Sequence, residues 1–260
     1  MTESRTRGSW IWFVAIGLVV GYLSGLFGVG GGILIVPALV TLVHLDLRVA
    51  AGTSLAAIVP IVVVGVVSYL VQGAVDWLAA VLLVVGAIAG AQLGSLLLGR
   101  IPRRALRWVF IVFILVVIVS LFLVVPTRDA SIHVTPLSIA GVVVLGLVTG
   151  ILSGLLGIGG GVIVVPMLIL LFGASDLVAK GTSLAMMVPT AISGTIGNIR
   201  RKNVDLPAAA VIGASACTTT ALGAATAAAI PPVAGNVLFA ILLVVIAVRM
   251  TIDAIRRPAS

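Results

Sequence analysis

The sequence predicts an all-α polytopic membrane protein of two inverted-topology repeats. Each repeat holds a glycine-broken short helix pair plus three membrane-spanning helices. Three observations carry this. Hydrophobic residues make up 62% of the 260 residues and charged residues 8%, against about 45–50% and about 25% in ordinary soluble chains. Residues 21–40 (GYLSGLFGVGGGILIVPALV) match residues 150–169 (GILSGLLGIGGGVIVVPMLI) at 12 of 20 positions, and GTSLAAIVP at 52–60 matches GTSLAMMVP at 181–189 at 7 of 9, both at an offset of 129. Basic residues, finally, fall overwhelmingly on one side of the predicted spans.

Apolar runs and their breaks give ten segments, near 10–27, 33–45, 49–71, 77–99, 107–125, 137–156, 162–174, 179–199, 206–229 and 233–252. Five belong to a first repeat, 1–125, and five to a second, 137–260, with a linker at 126–136 (PTRDASIHVTP). The opening stretch MTESRTRGSW runs straight into the first apolar segment and reads as a retained membrane segment, not a signal peptide. The second segment of each repeat has 13 residues, roughly 20 Å as helix, which is short of a hydrocarbon core of about 30 Å. Segments one and two therefore form either a hairpin that meets inside the membrane or two tilted spans. Both return the chain to the same side.

With both termini in the cytoplasm, the inside holds Arg5, Arg7, Arg48, Arg100, Arg103, Arg104, Arg107, Arg200, Arg201, Lys202, Arg249, Arg256 and Arg257, and the outside only Arg128 and Lys180. Such a positive-inside bias places the protein in the cell inner membrane in that orientation. Each repeat makes an odd number of net crossings, so the second copy lies upside down. The same loops account for the net charge of +8 without a nucleic-acid partner. Cys217 is the only cysteine, so no internal disulfide forms, and no metal or cofactor motif is present.

Candidate chemistry concentrates at the breaks. Gly28, Gly30, Gly31 and Gly32 recur as Gly157, Gly159, Gly160 and Gly161. Glycine runs let backbone amides converge, and bare amides at a helix N-terminus suit an anion. Close helix packing is the alternative use of such residues. Duplication, short following helices and the flanking Pro37 and Pro166 favour binding. Ser24 and Ser153 occupy matching positions just before the clusters. The repeated Gly-Thr-Ser-Leu brings Thr53, Ser54, Thr182 and Ser183, whose hydroxyls cap free amides or donate to an anion. Asp76 and Asp205 also match across the repeats. Capping of the following helix is the simpler reading, and a gating or proton-linked role the alternative. Otherwise the membrane interior is expected to lack Asp, Glu, Lys and Arg, which speaks against a buried proton wire or an intramembrane enzyme. His44 and His133 stand apart, without partners for metal or catalysis.

At SGLFGVGGGILIVP with SGLLGIGGGVIVVP, and GTSLAAIVP with GTSLAMMVP, the chain resembles the TauE/SafE sulfite exporter family. The turn GAVD at 73–76 and the small-residue run GAIAGAQLGSLLLGRIP at 86–102 add to the resemblance, which covers both repeats. It implies a non-enzymatic membrane transporter for sulfite, sulfoacetate or a related sulfonate, usually outward. The second repeat departs from the first where Arg200, Arg201 and Lys202 replace Val71, Gln72 and Gly73, a difference of topology. The resulting expectation is an anion near the midplane, between the glycine breaks and the Thr-Ser pairs, with alternating access by rocking of one half against the other. A passive anion channel, or a carrier for other small organic anions, are the competing readings. Coupling ion, net direction and oligomeric state are not encoded legibly.

Overall fold

The computed structural model describes residues 7–98, 112, 114–116, 118–119, 136–156 and 159–256. Among them the chain is all-helical. The helices are α1 (Arg7–Phe27), α2 (Gly32–Leu42), α3 (Leu47–Val71), α4 (Trp77–Leu98), α5 (Pro136–Leu156), α6 (Gly161–Phe172), α7 (Asp176–Arg200), α8 (Leu206–Ala229) and α9 (Pro232–Arg256). The expected segment 107–125 lies largely outside the described residues. By length and composition, Trp10–Phe27, Arg48–Val71 and Leu206–Ala229 are long and apolar enough to cross a membrane. The outer surface carries exposed Val63, Val67, Val81, Val85, Val244 and Val248, side chains suited to lipid.

Local chemistry explains where the long helices start. Asp46 accepts from Arg48 N at 2.8 Å ahead of α3, Asp76 from Ala79 N at 2.9 Å ahead of α4, Ser175 from Val178 N at 3.3 Å ahead of α7, and Asp205 from Ala208 N at 3.2 Å ahead of α8. The short helices start differently. Their N-caps are Gly31 (φ 81°) and Gly160 (φ 83°), and neither helix has a side-chain cap. The left-handed backbone recurs at the repeat offset: Gly30 and Gly159, His44 and Gly173, Gly73 and Lys202 all have positive φ.

Packing crosses the two halves. α1 runs along α8, and a β-carbon at Gly17, Gly21 or Gly25 would strike the backbone carbonyl of Ile212, Ala216 or Thr220. In the matching arrangement α5 runs along α4, where Gly146 and Gly150 press on the carbonyls of Leu83 and Ala87, and Gly86 and Gly90 on those of Val143 and Leu147. Small residues let these backbones approach closely, the usual means of joining helices in lipid. Between the two pairs, α3 and α7 run antiparallel: Leu55 meets Gly194, and Leu184 meets Gly65. Ile58 and Met187 lie near the middles of the 25-residue α3 and α7, both fully buried.

Candidate functional site

Both chains of residues Gly28–Gly31 and Gly159–Gly160 interrupt helix, and the two interruptions touch. A β-carbon at Gly161 would lie 2.8 Å from Val29 Cα and 2.9 Å from the Gly28 carbonyl oxygen. The methyl of Met187 sits against both Gly30 and Gly159, leaving no room for a β-carbon at either. Ile58, its counterpart at the repeat offset, reaches Gly159 as well. Two uncapped helix N-termini, one from each half, thus meet around one buried methionine. Gly157 lies outside the described residues.

Hydroxyls without partners lie on the helices that build this junction, Ser24 and Thr149 beside the breaks and Ser54 and Ser183 four residues ahead of Ile58 and Met187. Ser24, Ser54, Thr149 and Ser183 are fully buried, and none of their side-chain oxygens has a hydrogen-bond partner. Ser24 lies beside Gly31, and Ser153 and Thr149 lie beside Gly160. Ser153 and Thr149 also line a cavity of about 40 Å³ with Gly159, Met186 and Thr190. Buried hydroxyls without partners are costly, so a cluster at one junction points to a polar ligand or water that completes them.

The threonines of the repeated motif do something else. Thr53 Oγ1 accepts from Asp205 N at 2.9 Å, and Thr182 Oγ1 from Asp76 N at 2.9 Å. The preceding Gly52 and Gly181 press directly on the carbonyl oxygens of Asn203 and Ala74. Each Gly-Thr therefore clamps one half's helix to the turn before the other half's fourth helix. The carboxylates of Asp76 and Asp205 accept from the first turns of α4 and α8, as caps do.

Two charged side chains, Asp176 and Lys180, are buried inside the protein. Because Ser175 caps α7, the helix begins at Asp176, three residues ahead of the apolar segment, and carries Lys180 inside. Lys180 Nζ and Asp176 Oδ2 are 2.8 Å apart, with side chains only 5% and 3% exposed. Lys180 packs on the first break, since a β-carbon at Gly28 would lie 2.6 Å from its Cα and Cβ. The sequence signal was the i, i+4 spacing of the two charges. Met187 also escaped the sequence reading, because methionine at a helical spacing looks like ordinary core.

Comparison with known proteins decides the lineage. The family described as "Sulfite exporter TauE/SafE" matches residues 1–121 and 142–260. The chain belongs to this family. Its relatives include the "Probable membrane transporter protein YunE" of Bacillus subtilis (strain 168), 29% identical over 220 residues, covering 76% of this chain and 81% of the relative. A "Probable membrane transporter protein" of Haemophilus influenzae is 28% identical over 253 residues, covering 90% and 95%. YjnA of Bacillus subtilis, under the same description, is 31% identical over 192 residues, covering 68% and 75%. No solved structure matches the chain. As a TauE/SafE membrane transporter with several long apolar helices, the protein is a multi-pass membrane protein.

Proposed function

We propose that the protein exports a small sulfur-containing anion, such as sulfite, sulfoacetate or a related sulfonate, across the cell inner membrane by alternating access. The anion is held where the two glycine breaks meet. One observation carries this reading: the uncapped N-termini of α2 and α6 meet beside the buried, unpartnered hydroxyls of Ser24 and Thr149. Helix N-termini favour negative charge, and broken helices at the repeat interface are where transporters of this general kind hold substrate. Ser24, Ser54, Ser153, Thr149 and Ser183 supply O–H donors. Thr53 and Thr182, which hold the turns, act one step removed.

The antiparallel α3 and α7 support the inverted relation of the two repeats. Contacts of Gly52 and Thr53 with Asn203 and Asp205 bring Arg48 to the same end as Arg200, Arg201 and Lys202, which supports a cytoplasmic location for that end. Crossed packing changes what rocks. The moving bodies are α1 with α8 and α4 with α5, each built from both halves, and α3 and α7 form the seam. Met187 fills the meeting point, which favours a carrier over an open channel. A potential negative inside favours anion exit by about 2.3 kcal/mol per charge per 100 mV.

Thermal unfolding of the full-length protein in detergent tests the site. Sulfite, sulfoacetate and thiosulfate are compared with sulfate and acetate. Stabilisation by the first group, together with saturable counterflow in liposomes, is expected. Equal responses to all five anions, or flux that never saturates, overturn the reading.

A further inference from the structure

We propose that Lys180 is a substrate-contacting cation of the transport path, and that Asp176 is an internal counter-anion which the transported anion displaces. This inference rests on the transport reading above. The ammonium and carboxylate are 2.8 Å apart and almost wholly buried. Burying an ion pair gains little stability over apolar residues of similar size. The first repeat makes the comparison directly, because Leu47 and Ala51 stand at the positions of Asp176 and Lys180. The scaffold is therefore built once with this pair and once without it. A buried charge pair that the matching repeat does without points to a substrate path.

Position ties the pair to the anion site. The Lys180 stem lies on Gly28, and the Gly28 carbonyl lies against Gly161, so one peptide segment joins the lysine to the meeting of the breaks. The Lys180 ammonium faces the first turn of α9 at Gly235, 3.7 Å from where a β-carbon would sit.

The carboxylate is incompletely used. Asp176 Oδ2 takes the lysine, while Oδ1 is buried with no hydrogen-bond partner. An entering sulfite or sulfonate offers oxygens of the same charge to the three donors of the ammonium. It replaces one oxyanion with another. The displaced carboxylate stays in the first turn of α7, where the helix dipole favours negative charge. Competition between the two anions makes a readout that a structural ion pair does not share.

Sulfite titration of the full-length protein in detergent, followed by thermal unfolding, reads that competition. Lys180→Met raises the half-saturating sulfite concentration tenfold or more, and Lys180→Arg largely keeps the response. Asp176→Asn lowers it several-fold, because the internal competitor has gone. The double variant Asp176→Asn/Lys180→Met reproduces the neutral state of the first repeat, folds, and stays unresponsive. Loss of response in both single variants with recovery in the double variant would mean a structural pair and overturns the proposal. So does a Lys180→Met protein that responds like the wild type. A wild-type protein that responds to no anion overturns the transport reading along with this one.

Discussion

Thr53 on α3 accepts the backbone N–H of Asp205 at 2.9 Å across 152 positions of sequence. The same bond joins Thr182 to Asp76 at the other end of the molecule. Removing either hydroxyl leaves a part-buried amide without its acceptor. Thr53→Val and Thr182→Val should each cost about 1–3 kcal/mol of stability. Lying at opposite ends, their effects should add. Thermal unfolding of both single variants and the double variant checks this, and a double variant no worse than either single one counts against two separate clamps.

Glycines in α7 separate packing from propensity. Gly181 abuts the carbonyl oxygen of Ala74, whereas Gly197 has nothing within 4 Å of a β-carbon. Gly181→Ala should abolish the monodisperse folded protein. Gly197→Ala should be neutral or stabilising by up to about 1 kcal/mol through helix propensity. Size-exclusion profiles and melting temperatures of the two proteins give the answer, and similar behaviour would contradict the clamp.

The unpartnered serines should behave oppositely to the threonines. Ser54→Ala and Ser183→Ala remove hydroxyls that lack partners, so stability without anion should hold or rise. Each should weaken the sulfite response by about 1 kcal/mol, roughly fivefold in half-saturation. Unchanged sulfite titrations would place the anion elsewhere.

Met187 is the third kind of residue at the junction. Truncation to alanine leaves a cavity between the breaks and should cost about 2–5 kcal/mol. Met187→Ile, copying the Ile58 of the other repeat, should cost less than about 1.5 kcal/mol. In liposomes the alanine protein should accept bulkier sulfonates relative to sulfite. An unaltered size preference would show that Met187 does not border the anion.

Much of the architecture was legible because it is local or repeated. Helix breaks follow from consecutive glycines, and the starts of α4 and α8 follow from Asp76 and Asp205, each a short-range capping pattern. The family came from strings that occur twice at one spacing. Pairings across the halves were not legible. Nothing near Thr53 names Asp205, and nothing near Gly21 names Ala216, because such contacts depend on how helices far apart in sequence come to lie together. The burial of Lys180 was not legible for a related reason: it depends on Gly28, from the other half, lying against its stem.

The crossed pairs α1 with α8 and α4 with α5 have a consequence for biogenesis. Leu18 and Thr219, joined by a hydrogen bond, are separated by 201 positions. The first helix therefore enters the lipid long before its lasting neighbour has been synthesised. Until then its glycine-lined face has only lipid or a chaperoning insertase to rest against. A product cut at the linker would release two fragments, each missing the surface the other supplies. Co-expressed fragments should assemble where neither survives alone, so a single message keeps the two interlocked halves together.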